Sequence, residues 1–100
     1  MKQTDDKSSD RLVSIRIDIA NRMRLVRRVL GFSQKEFALK LEFSLSSYKS
    51  YEIARRDLPL IQAIIFCEKF NIELQWLVYG EGLPQKELDN EFLMTLIDYK

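Results

Sequence analysis

The chain has 100 residues, 46% of them apolar, with 16 basic and 15 acidic side chains, one cysteine and no histidine. This is enough for one compact domain and not two; it excludes a wholly disordered chain, and no run approaches the roughly 20 apolar residues that span a bilayer. Without histidine and with one cysteine, an ordinary zinc site and a histidine-dependent triad are excluded; no metal or cofactor is expected, and the polar N-terminus is no secretory signal, so a cytoplasmic location is the default.

Residues 1–11 are polar and read as a frayed, flexible terminus. Val13, Ile15, Ile17 and Ile19 alternate with polar residues, which is strand period. From Ile19 the spacing changes: Ile19, Met23, Val26 and Leu30 fall at helical intervals. The first helix is therefore expected from about Asp18 to Leu30, capped by Asp18 or Ser14 and stopped by Gly31. The part before it is either an extra helical turn or an extended arm.

Ser33-Gln34-Lys35-Glu36 forms a capping box that opens a second helix, with Phe37, Ala38 and Leu41 on its inner face. Glu42-Phe43 makes a turn and Ser44 caps a third helix, in which Tyr48 and Tyr51 share a face. After the polar Arg55-Arg56-Asp57 loop, Pro59 suits the first turn of a fourth helix over Leu60 to Phe70, closed by Asn71. Cys67 lies in its apolar run and reads as a buried small hydrophobe. A fifth helix runs from about Glu73 to Tyr79 and stops at Gly80. Past Pro84, Leu88, Phe92, Leu96 and Tyr99 form one stripe of a C-terminal amphipathic helix. The chain divides into a terminus (1–11), a helical domain (12–82) and a C-terminal helix (83–100).

Charge is segregated. Arg16 to Arg56 holds ten basic and four acidic residues, whereas Asp57 onward holds three basic and eight acidic. One half is built to approach a polyanion. Solvated helix faces also cluster charge, so the motif must decide.

That motif is Ser33 to Glu52. A helix lying in the major groove needs a second helix braced across its back, with a small residue at the crossing. Ala38 is that residue, and Tyr48 and Tyr51 anchor the reading helix inward. At 100° per residue Ser46, Lys49, Ser50 and Ile53 face the opposite way, with Leu45 at the leading end. Serine bonds base edges, lysine reaches phosphate or guanine, and leucine touches a thymine methyl. Free amides at Ser33 and Gln34 suit a phosphate.

LGFSQKEFALKLEFSLSSYKSYE resembles the lambda-repressor/Cro (Xre) helix-turn-helix family, and the resemblance extends over roughly Asp18 to Gly82. Gln34, Ala38, Leu41, Phe43, Ser44, Glu52, Pro59 and Asn71-Ile72 fit its pattern. The run from Trp76 to Gly82 is similar to the family's Trp-Leu-Leu-x-Gly ending. The resemblance implies an all-α fold, a five-helix DNA-binding domain with the C-terminal helix appended. It implies base reading by Leu45, Ser46 and Ser50, and backbone contacts from Arg24, Ser33, Gln34, Ser44, Ser47, Lys49, Arg55 and Arg56. It also implies a buried ion pair between Arg27 and Glu52, which makes Glu52 structural rather than catalytic.

Several positions depart from the family. Glu42 and Ala54 stand where it has glycine, Tyr48 replaces an inward Ile or Val, and Ile53 replaces an Asn that contacts phosphate. The reading face lacks Gln, Asn and Arg for bidentate base contacts, which moves discrimination toward DNA shape. Family spacing buries Leu60, Ala63, Phe66, Cys67 and Phe70 and leaves Ile61, Ile64 and Ile65 as an unused apolar face. Trp76 and Tyr79 read as core.

The expected function is a phage- or prophage-type repressor that binds a partly palindromic operator in double-stranded DNA as a homodimer. Ile61, Ile65, Leu88, Phe92 and Leu96 form the candidate interface. Folding of the last helix over the fourth in one chain is the other outcome. The protease-like domain of many phage repressors is absent from this sequence; either it is a fragment or the protein is switched otherwise, a protein partner included. The competing class is a protein-interaction module, antitoxin- or anti-repressor-like, that keeps the fold with weak DNA affinity. An enzyme is not expected, because no nucleophile–base pair or metal set is present.

Overall fold

The computed structural model describes residues 4–85, with side chains described from residue 9 onward. Five helices follow in order: α1 Thr4–Leu30, α2 Gln34–Leu41, α3 Leu45–Glu52, α4 Leu60–Phe70 and α5 Leu74–Tyr79. No strand occurs among the described residues. The expected C-terminal helix, with Leu88, Phe92 and Leu96, lies outside the described residues; residues 83–85, assigned to it, are not helical.

α1 is much longer than the period predicts. It starts at Thr4, so residues 4–11 are helical and both proposed caps, Ser14 and Asp18, lie in mid-helix. The alternating stretch is helix, not an extended arm, and its apolar residues consequently scatter around the cylinder. Leu12, Val13, Ile15 and Ile17 are exposed, while Ala20, Met23 and Val26 at steps of three line the buried face. Ile19 and Leu30 are only half-buried. Gly31 ends the helix at φ +81°, where Phe32 N–H donates to the Arg27 carbonyl at 3.1 Å.

α2 begins with the expected capping box. The Ser33 hydroxyl accepts from Glu36 N–H at 3.1 Å and Glu36 accepts from Ser33 N–H at 2.9 Å. These bonds hold the Glu36 carboxyl below its usual pKa. α3 is capped by Ser44, whose hydroxyl accepts from Ser47 N–H at 3.1 Å. Between them Glu42 is left-handed at φ 61°, and past α3 Ala54 is left-handed at φ 61° as well. Both of the family's glycine positions are thus real left-handed turns occupied by residues with a Cβ.

The core centres on Phe37. Its ring stacks on Phe70 at 4.6 Å and meets Tyr48 and Phe66 edge-on at 5.6 Å each. Ala38 is buried on α2, which packs against α3. α4 buries Ala63, Phe66 and Cys67, and burial pushes the Cys67 thiol up to about 11. Phe70 is half-buried. Leu60, expected inside, is 65% exposed: it occupies the first turn, N-terminal to every buried residue of the helix. Asn71 closes α4 in the left-handed conformation. α5 contributes Leu77 to the core and half-buried Trp76, whereas Tyr79 points to solvent against expectation. The chain then turns back, so that Glu73 N–H donates to the Pro84 carbonyl at 2.8 Å.

Candidate nucleic-acid interface

α2 braces α3 from behind, and the brace is fixed by a polar network inside the domain. Arg27 of α1 forks onto Glu52 at the end of α3, with Nε 2.9 Å from Oε2 and Nη2 2.8 Å from Oε1. Its third arm reaches the Phe32 carbonyl at 2.9 Å. Gln34 donates to Glu52 at 3.1 Å, and the Tyr48 hydroxyl donates to the same carboxylate. Glu52 is the buried charged residue of the described core. Burial alone would raise its pKa; the bonds from Arg27, Tyr48 and Gln34 and the charge of Arg27 outweigh this and hold it below the usual value. Arg27 is raised in turn, first by its bond to Glu52. Tyr48 is raised by burial and by its bond to Glu52.

With Tyr48 and Tyr51 buried, α3 turns Ser46, Lys49, Ser50 and Ile53 outward. Leu45 is half-buried and packs against the core with part of its side chain at the surface. Leu45, Ser46, Lys49, Ser50, Ile53 and Arg55 line one shallow concavity, so the three residues expected to read bases share a surface with two cations. Among the described residues no acidic side chain lines it. The Ser50 hydroxyl donates back to the Ser46 carbonyl at 3.1 Å.

Arg56 is anchored beside this surface. It donates to the Ser47 hydroxyl at 3.0 Å and lies over the Tyr51 ring at 5.3 Å. Ser33 and Ser44 stand at the starts of α2 and α3, as their capping roles require, and Gln34 is the first residue of α2. Gln34 spends one amide proton on Glu52, so it is tied to the core network, a link the sequence does not announce. Arg24 stands apart: it bonds Asn21 within α1 at 2.5 Å, and no described hydrogen bond joins it to α2 or α3. Ile61 and Ile65 are exposed on α4.

Sequence reasoning missed the Tyr48 hydroxyl. Tyr48 and Glu52 are spaced i, i+4, the signal that places one above the other on a helix. It also missed the bridge from Arg16 to Asp57, 2.6 Å, which ties the extended half of α1 to the loop after α3.

Among the described residues no helix is long and apolar enough to cross a membrane, and no group of three or more His, Cys, Asp or Glu side chains could hold a metal ion. No curated protein and no solved structure matches the chain. A family model described as helix-turn-helix matches residues 23–77, from the buried half of α1 to the core leucine of α5. The chain belongs to the lambda-repressor/Cro (Xre) helix-turn-helix family of DNA-binding regulators.

Proposed function

We infer that the protein is a sequence-specific transcription regulator of phage- or prophage-repressor type, acting in the cytoplasm on a two-fold operator as a homodimer. Leu45, Ser46 and Ser50 read bases. Ser33, Gln34, Ser44, Ser47, Lys49, Arg55 and Arg56 hold the phosphates, with Arg24 in the outer part of that set. Bound there, the dimer blocks or recruits polymerase. The observation that carries this reading is the surface formed by α3 and the residues just after it, where the described lining holds two cations, Lys49 and Arg55, and no acid, with a buried ionic brace behind it. Titration against the DNA upstream of its own gene at several salt concentrations tests it. Binding should weaken with salt at a log–log slope of about −0.9 per phosphate contact, and unrelated duplexes should bind far less tightly.

A second reading is favoured by Ile53, which is 60% exposed where the family has a phosphate-binding Asn. An exposed isoleucine suits a protein partner, as in an antitoxin- or anti-repressor-like module. Weak binding with no sequence preference in the same titration supports that reading over the first.

A further inference from the structure

Arg56 is exposed, yet its guanidinium is held in place. Nη2 donates to the Ser47 hydroxyl at 3.0 Å and, over a longer 3.4 Å, to the Tyr51 hydroxyl. The group also lies over the Tyr51 ring at 5.3 Å. The Tyr51 hydroxyl has one proton, and it goes to Oε1 of Gln62 on α4 at 2.7 Å. The tyrosine lone pairs are thereby left to accept, and Arg56 meets one of them. A hydroxyl that donates is also the better acceptor. Among the described residues both hydrogen bonds of this guanidinium come from Nη2, which leaves the protons of Nε and Nη1 for an anion.

The place of this group suits a phosphate. At 100° per residue Ser47 lies on the flank of α3, between Ser50 of the outward face and buried Tyr51. A helix is about 10–12 Å across and the major groove about 12 Å wide, so a helix seated there turns its flanks to the groove walls, along which the phosphates run. We propose that Tyr51 and Gln62 are positioning residues, which hold the Arg56 guanidinium on that flank before DNA arrives. This rests on the DNA-binding reading above. An unheld arginine gives up its rotamer freedom on binding; Arg56 has given up part of it on folding, through a bond relayed from α4.

The test measures dissociation constants at several salt concentrations for a duplex selected from a randomised library. Arg56→Ala should weaken binding and reduce the log–log salt slope by about 0.9, one phosphate contact. Tyr51→Phe keeps the ring and Gln62→Leu keeps the helix, and both keep the cation. Each should weaken binding roughly 2- to 10-fold with the salt slope unchanged. In the Arg56→Ala background neither should weaken it further, which a merely structural role would not produce. Circular dichroism and urea midpoints check the fold, and Gln62→Leu, at a half-buried site, carries the test if Tyr51→Phe does not fold. Wild-type affinity in both variants, or losses that persist in full without Arg56, overturns the proposal. So does an Arg56→Ala chain that binds like wild type; in each case the DNA-binding reading stands. A library from which no duplex is enriched overturns that reading and the proposal with it.

Discussion

Glu52 receives hydrogen bonds from Arg27, Gln34 and Tyr48, so its buried charge is met by one cation and two neutral donors from α1, α2 and α3. Removing the cation leaves that charge unpaired. Arg27→Met should cost about 3–5 kcal/mol in denaturant unfolding at neutral pH. Tyr48→Phe keeps the ring against Phe37 and deletes one donor to a charged group, so it should cost about 1.5–3 kcal/mol; a loss as large as that of Arg27→Met would mean that the hydroxyl, not the guanidinium, carries the site. The Arg27–Glu52 pair was legible through the family pattern, because both residues stand at its positions. The tyrosine was legible as an inward anchor; its bond to Glu52 was signalled only by the i, i+4 spacing within α3, which does not by itself say that the hydroxyl turns to the carboxylate. Glu42 and Ala54 make the opposite prediction. Each is left-handed at φ 61°, which costs a residue with a Cβ about 1–2 kcal/mol, partly offset by the greater chain entropy that glycine loses on folding. Glu42→Gly and Ala54→Gly should each stabilise the domain by roughly 0.5–1 kcal/mol, read as a higher denaturation midpoint.

At the scale of elements, α2 to α5 were legible almost to the residue, because each carries its own stop signals: Ser33 and Ser44 as caps, Pro59 before α4, Asn71 and Gly80 after α4 and α5. α1 was not, because a run of β-branched residues at period two reads as strand, and only the helix it continues overrides that preference. The bridge of Arg16 to Asp57, with Asp57 mostly in solvent, adds at most about 1 kcal/mol to that extension. What binds α1, α2 and α3 together is the Glu52 carboxylate, and this makes their union sensitive to acid. Its folded pKa lies below the ordinary carboxylate value of 4.5, so its stabilisation is fully present above about pH 4.5 and is lost as pH falls through the folded value. Glu36 is shifted the same way by the capping box and acts in the same window. Urea midpoints measured from neutral pH down to about pH 3 should fall steeply below pH 4.5. Glu52→Gln should be less stable at neutral pH but show a shallower acid limb, and Glu36→Gln a smaller flattening. An unchanged acid limb in Glu52→Gln would sink the account.

For the whole molecule, the function proposed above divides the labour between the segregated charge and the apolar surface of α4: the basic half to meet DNA, the other half to meet a second copy. Ile61 is 72% exposed and Ile65 37%; Ile64 shares this face as expected, and Leu60, which the family spacing had placed inside, joins it. Fully burying an isoleucine contributes about 1.5–3 kcal/mol. Two per protomer would give at most about 6–12 kcal/mol, less for Ile65, which is already mostly covered. Association costs about 4–15 kcal/mol, so the α4 surface alone makes at best a marginal dimer. The described chain ends where Pro84 bonds Glu73, close to the C-terminal end of α4. A stable dimer needs further apolar area, and the proposed interface takes it from Leu88, Phe92 and Leu96, which lie outside the described residues. The full chain should be dimeric by light scattering at roughly tens of micromolar, a state set by concentration. Ile61→Glu, at an exposed position, should shift it to monomer with unchanged helicity; Leu96→Glu should do the same. Both variants should still bind a single half-site and lose the extra affinity for a two-fold site. A wild-type chain that stays monomeric at that concentration, or variants that stay dimeric, would remove α4 from the interface and leave its isoleucines to be covered by the chain's own last residues.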